Sequence, residues 1–368
     1  MNYQIPTYEQ AKALCEGESA FSEVQTEVDE YQVSLFNYRL ASYSDFTTEP
    51  YAIEMRGLAF VHYQNKSTVF PALHKFFNIN ENPLTMIDTV KDLTIESSYD
   101  KLDGSIINFI LLPNGRVKAK SKMSFISLQA QAAQSVIDND AKLYERIRTW
   151  LICGVMPIFE YCSWDNQIVL QYDKPELVLL RLRNMFNGEY LELPDDIPTA
   201  KADTCTDLNT YLAKLKTETN IEGWVITFSN GLFVKLKTDW YLALHGMISD
   251  TVTSTHKIVA LALDESLDDI YPNIPVHSQK YQFVKHVETK VREKVHSLLH
   301  DVLDMLNNAP DSRKEFAILN SKTEAFKIAI RYFGSDYSKD SVEVEVIDYC
   351  KHQSNKNDRA INFFNLEE

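Results

Sequence analysis

The chain has 368 residues, 45% hydrophobic and 24% charged, with a formal net charge of −15. That length predicts two or three domains with ample material for cores, and no apolar run approaches the roughly 20 residues a membrane-spanning helix needs. The acidity excludes a protein that coats polyanions through its overall field, so any nucleic-acid contact must come from a local basic surface.

Cys15, Cys153, Cys162, Cys205 and Cys350 are odd in number and form no C-x-x-C. That usage fits a reduced cytoplasmic chain better than a disulfide framework. The opening MNYQIPTYEQ has neither a basic nor an apolar stretch of the secretory kind, so a cytoplasmic protein without a membrane partner is expected.

Residues 7–30 begin with a short helical pattern (Tyr8, Ala11, Leu14) and continue as an acidic loop. YQVSLFNYRLASY (31–43) reads as a strand entering a turn at Ser44-Asp45, and AIEMRGLAFVHY (52–63) as a strand broken at Arg56-Gly57. A charge beside a glycine inside such a run signals close backbone approach, a bulge or an exposed edge. PALHKFFNINENP (71–83) sets Lys75 among aromatics before a turn; such text holds a nucleotide or, more often, forms an amphipathic edge.

Lys101-Leu102-Asp103-Gly104 alone is a weak signal, because Asp-Gly is ordinary turn chemistry with the lysine as its solvated flank. SIINFILL (105–112), a Pro-Asn-Gly turn and RVKAKSK (116–122) form a hairpin. Period-two geometry puts Lys118, Lys120 and Lys122 on one face. They form either a solvated edge or a surface compensated by an anion. Helices are predicted over 124–138 and 141–151, then strands over 155–164, 167–172 and 177–183. Glu160 interrupts the first of these strands, and alternation alone does not say whether it points outward or into a site. A looser connection over 194–220 carries a helical piece at 207–217. A second hairpin pairs EGWVITF (222–228) with LFVKLK (232–237), where Lys235 and Lys237 share a face.

Beyond about residue 243 the pattern turns helical. Val284, Val287, Val291, Val295, Leu298 and Val302 step by three or four up to Pro310, and another helix is predicted over 313–333. VEVEV (342–346) alternates like a strand, but its neighbours favour helix, and helix is the expectation. His296 and His300 stand at metal-ligand spacing without a third candidate, which makes them helix surface. The fold class is therefore α+β: an antiparallel-sheet domain over 1–243, because its strands come in hairpins, and a mainly helical domain over 244–368.

Taken in order, K-L-D-G (101–104), a lysine strand ending at Lys122, F-E-Y (159–161), E-G-W (222–224) and K-L-K (235–237) resemble the motif series of the covalent nucleotidyltransferases. That group holds RNA ligases, DNA ligases and capping enzymes. E-M-R-G (54–57), H-K-F-F-N-I-N-E-N-P (74–83), D-W-Y (239–241), Y-R-L-A-S-Y-S-D (38–45) and N-Q-I-V-L (166–170) closely resemble the RNA ligase 1 family of tailed bacteriophages. DNA ligases and capping enzymes place a short-strand barrel after the last lysine motif, where this chain turns helical.

The resemblance implies an ATP-dependent RNA ligase with Mg²⁺, joining 5′-phosphate and 3′-OH ends through lysyl-AMP and RNA-adenylate. Lys101 would be the nucleophile. Arg56, Lys75 and Lys122 would engage the β and γ phosphates of ATP, and Lys235 and Lys237 the α phosphate. Glu160 and Glu222 would hold the hydrated metal, Tyr38 would lie near the nucleotide, and Asp268 would serve a second metal. Gly104 would let the backbone turn tightly beside the nucleophile. Met123 stands after Lys122 where the family often has glycine. The implied substrate is a broken tRNA anticodon loop, repaired after an end-healing kinase/phosphatase in the host cytoplasm, by a monomer whose helical domain favours tRNA. The alternatives are a catalytically inactive RNA-binding module and a ligase acting on DNA.

The chemistry gives these residue types a reason. A lysine attacks phosphorus only as the neutral amine, against an ordinary pKa of about 10.4, and neighbouring cations plus a metal would favour that form. Magnesium prefers water-rich coordination with few carboxylates, which two glutamates could supply.

Overall fold

The computed structural model describes residues 3–17, 19–163, 174–244, 254–271, 274 and 278–366. The strand predicted over 167–172 and the N-Q-I-V-L motif lie outside them. Backbone contacts divide the chain into two compact units: Met1–Cys15, Glu23–Tyr38 and Ser42–Gly246 make one, and Glu16–Ser22, Arg39–Ala41 and Met247–Glu368 the other.

The first unit is built on antiparallel hairpins, as expected. One sheet takes β1 (Phe21–Val28), β2 (Tyr31–Tyr38), β3 (Leu58–Tyr63) and β4 (Lys66–Phe70) in that order. The acidic loop expected before Tyr31 is thus partly a strand. It lies at the sheet's edge, where polar Glu23, Gln25 and Glu27 are tolerated and the apolar signal is diluted. The strand expected from residue 52 opens instead with a 3₁₀ turn, Ala52–Met55, and only then runs into β3.

A central sheet has the order β5 (Phe77–Asn78), β13 (Phe233–Lys237), β12 (Gly223–Phe228), β6 (Ile95–Lys101). Alternation splits its residues between two faces. Trp224, Ile226, Val234 and Leu236 are buried on one face with Leu208 and Tyr211 of helix α5 (Leu208–Thr217). The opposite face therefore carries Lys101, Lys235 and Lys237.

The third sheet is β11 (Tyr190–Leu191), β10 (Glu176–Asn184), β9 (Val155–Cys162), β7 (Ser105–Leu111), β8 (Val117–Lys120). Helices α3 (Leu128–Asp138) and α4 (Ala141–Ile152) bury Ala133, Ile137, Ile147 and Leu151 in one core with Phe109 and Phe159. Ser127 and Asp140 cap these helices by accepting from their first backbone amides. The lysine strand stops at Lys120, so the face expected to hold three lysines holds two. Lys118 pairs with Asp29 at 2.9 Å and Lys120 is buried.

The second unit is helical. Its longest element, α8 (Gln279–Asn307), buries Val284, Val287, Val291, Val295, Leu298 and Val302 as the spacing predicts. The single helix expected over 313–333 is two, α9 (Arg313–Asn320) and α10 (Glu324–Tyr332), because Thr323 accepts from Phe326 N and starts a new N-terminus. VEVEV lies inside α11 (Lys339–Gln353). Arg39–Ala41 belongs to this unit: Leu40 joins its core and Arg39 pairs with Asp340 at 2.8 Å.

Candidate active site

Lys101 ends β6, directly opposite Gly223 of β12, and Gly223 in turn faces Lys237 of β13. The two lysines thus flank a residue without a side chain. The next row on the same face is Tyr99, Val225 and Lys235. Gly223 has φ +150°, and a Cβ there would fall 1.8 Å from Leu236 O, so only glycine permits this approach. Glu222 reaches both amines: its Oε1 lies 2.6 Å from Lys101 Nζ and 3.4 Å from Lys237 Nζ.

Glu160 comes from β9, opposite Ile106 of β7. Burial is the main cause pushing its carboxyl up to about 8, with Glu222 adding to it; Lys101, Arg56 and the Gly104 amide act in the opposite direction. Gly104 has a role that the turn reading did not foresee. A Cβ there would lie 2.4 Å from Tyr161 O and 3.0 Å from Glu160 Cγ, so glycine makes room for the glutamate strand beside Lys101.

Aromatic rings carry the remaining cations. Lys122 Nζ lies 4.4 Å from the Tyr38 ring centre, and Lys75 Nζ lies 5.6 Å from the same ring and 4.8 Å from Phe77. Phe76 is shared by Arg56 at 5.9 Å and Lys235 at 5.3 Å. The first unit therefore brings together Tyr38, Arg56, Lys75, Lys101, Gly104, Lys122, Glu160, Glu222, Lys235 and Lys237. Asp268 does not join them within that unit; it lies in a 3₁₀ turn, Leu267–Asp269, of the helical unit.

Two further residues belong to this geometry. Tyr241, in helix α6 (Asp239–Leu244), donates from its hydroxyl to Asp103 Oδ1 at 2.9 Å, and both are buried. The D-W-Y motif was the available signal for Tyr241. Its reach to Asp103, 138 positions away, could not be read from spacing.

The donor set fits a hydrated magnesium ion. Glu222 is buried and its Oε2 has no hydrogen-bond partner within the protein, an oxygen suited to a cation. Among the described residues no cluster of three or more His, Cys, Asp or Glu side chains forms a metal cage. Two carboxylates suit an ion that keeps much of its water.

A sequence model of a family described as RNA ligase, the phage RNA ligase 1 family, matches residues 54–241, just over half of the chain. The chain belongs to the phage RNA ligase 1 family. It is an enzyme, an RNA ligase. A Thermovibrio ammonificans protein named "Putative RNA ligase" is 29% identical over 283 residues, covering 73% of this chain and 72% of the relative. Among solved structures, an archaeal ATP-dependent RNA ligase (form 2) is similar with a TM-score of 0.49 and 11% identity, over 90% of this chain and 97% of that one. A Naegleria gruberi RNA ligase with PPi has a TM-score of 0.37 and 14% identity, over 47% of this chain and 57% of that one. These two likenesses concern backbone course alone. No helix among the described residues of this ligase is long and apolar enough to cross a membrane.

Proposed function

We propose that this RNA ligase uses ATP and works through a covalent adenylate on Lys101. The observation that carries the reading is the row Lys101–Gly223–Lys237, with Glu222 against both amines. In the first step Lys101 Nζ bonds to the α phosphorus, the bond from that phosphorus to the β-phosphate oxygen breaks, pyrophosphate departs and a proton of Nζ passes to solvent. In the second, an RNA 5′-phosphate oxygen bonds to the same phosphorus, and the phosphorus–nitrogen electron pair returns to Nζ, which is reprotonated. In the third, an RNA 3′-OH bonds to the 5′ phosphorus, AMP leaves with the electron pair and the hydroxyl proton is released.

Charge develops on the nonbridging oxygens and on the leaving pyrophosphate. Lys235 and Lys237 face the first, and Arg56, Lys75 and Lys122 take the β and γ phosphates, with Tyr38, whose ring lies beside Lys75 and Lys122, near the nucleotide. Glu160 and Glu222 would hold Mg²⁺, which when bound supplies further positive charge at the α phosphate. The helical unit takes part in choosing RNA, and Asp268 within it would serve a second metal. The substrate we propose is a broken tRNA anticodon loop whose ends a kinase/phosphatase has prepared, sealed in the host cytoplasm by a monomer. Single-stranded loop ends are open to stacking and edge contacts.

Incubation with α-labelled ATP and Mg²⁺, then denaturing electrophoresis, tests the first step. Label is expected on wild type and lost in Lys101→Ala; label surviving in the variant sinks the assignment. Sealing of 5′-phosphate/3′-OH RNA tests the rest, and efficient sealing of DNA with no RNA product would overturn it.

A further inference from the structure

We propose that two buried basic side chains outside the reaction, Arg183 and Lys120, are positioning residues that hold Arg56, Lys75 and Lys122 in one preassembled phosphate clamp. The proposal rests on the reading that these three take the β and γ phosphates of ATP.

Three converging cations repel one another, and the aromatic rings beneath them restrain only their side chains. What fixes their backbones is unusual, because burying a charge is costly unless it is fully bonded. Arg183 is 0% exposed. Its guanidinium forks onto Glu54, with Nη1 donating to Oε2 at 2.7 Å and Nη2 to Oε1 at 2.6 Å. Nη1 also donates to Ala72 O at 2.6 Å and Nε to Gly188 O at 2.9 Å. Glu54 stands two residues before Arg56, and Ala72 three before Lys75. One guanidinium thereby ties together the two segments that carry clamp cations. Their backbones also meet directly, Lys75 N donating to Ile53 O at 2.7 Å.

Lys120 does the same for the third member. It is 0% exposed, and its Nζ donates to Gly57 O at 2.7 Å, Ser121 O at 3.2 Å and Lys122 O at 3.4 Å. Among the described residues no carboxylate forms an ion pair with it. Burial pushes this amine down to about 7, and its Nζ is spent on carbonyls next to Arg56 and on Lys122 itself. The segments are so close that a Cβ on Gly57 would lie 2.9 Å from Lys122 O. Such bracing cuts the reorganisation needed when phosphates arrive.

The clamp touches only phosphates that leave as pyrophosphate, so its bracing matters when ATP reacts and not when pre-adenylylated RNA is sealed. Arg183→Lys keeps the charge but loses the fork, Glu54→Gln weakens the same fork from the other side, and Lys120→Met keeps the bulk without the donor. For each, the KM for ATP and rate of lysyl-AMP formation are compared with sealing of pre-adenylylated RNA by the same preparation. Their ratio is independent of the folded fraction. The expected result is an about tenfold or greater loss of kcat/KM for ATP with sealing of pre-adenylylated RNA within about twofold of wild type. Equal losses in both reactions, or no loss in either, overturn the proposal. If instead Arg56→Ala and Lys75→Ala leave kcat/KM for ATP unchanged, it is the clamp reading that fails.

Discussion

Lys101 and Glu222 meet at 2.6 Å, and the same carboxylate oxygen also faces Lys237 at 3.4 Å. One buried acid therefore aims two amines into one space. Glu222→Gln keeps the shape and removes the charge. Lysyl-AMP formation is expected to fall about 100-fold, with circular dichroism unchanged, and labelling at the wild-type rate would contradict the arrangement.

Gly223→Ala is expected to fail for a steric reason. The added carbon would sit 1.8 Å from Leu236 O, at a φ of +150° that L-residues avoid. The β12–β13 pair must open there, with a loss of about 3 kcal/mol or more in urea unfolding and no lysyl-AMP. A variant as stable as wild type would show that the strands have slack at this point.

Tyr241→Phe deletes the hydroxyl that reaches Asp103, the acid two places after Lys101. The expected cost is about 1–3 kcal/mol of stability. Slower adenylylation is expected with it, because the Lys101–Gly104 turn loses one of its anchors. Unchanged unfolding and unchanged labelling together would place this bond outside the site's support.

Glu343 gives a pH signature in the helical unit. Burial raises its carboxyl to about 7 from an ordinary 4.5, although Arg39, 3.8 Å away, acts in the opposite direction. Between those values the folded protein keeps a proton that the unfolded chain has lost. Its stabilising contribution is thus complete below about pH 4.5 and lost as pH rises through about 7. Relative to Glu343→Gln, wild type is expected to lose about 3 kcal/mol between about pH 4 and pH 8. Parallel melting-temperature profiles of the two proteins would refute this.

The cations and acids gathered in the candidate site were legible because they fall in short motifs: Lys101 in K-L-D-G, Glu222 in E-G-W, Lys235 and Lys237 in K-L-K. Their support was not. Glu54 and Arg183 are 129 positions apart, and each alone reads as an ordinary surface charge. Lys120 reads as one of three strand lysines until the fold shows it donating to Gly57 O. Helix α11 was legible from its flanks. Strand β1 was not, because an edge strand shows water too much of its side-chain pattern.

The helical unit includes Glu16–Ser22 and Arg39–Ala41 as well as the chain from Met247. Leu40 lies in its core, and Leu40 N donates to a Glu265 oxygen while Arg292 donates to Leu40 O. A genetic exchange near residue 244 would deliver an N-terminal half carrying pieces of the other unit's interior and a C-terminal half lacking them. The two halves are therefore not interchangeable parts, and a lineage that swaps one must carry Arg39–Ala41 along with it.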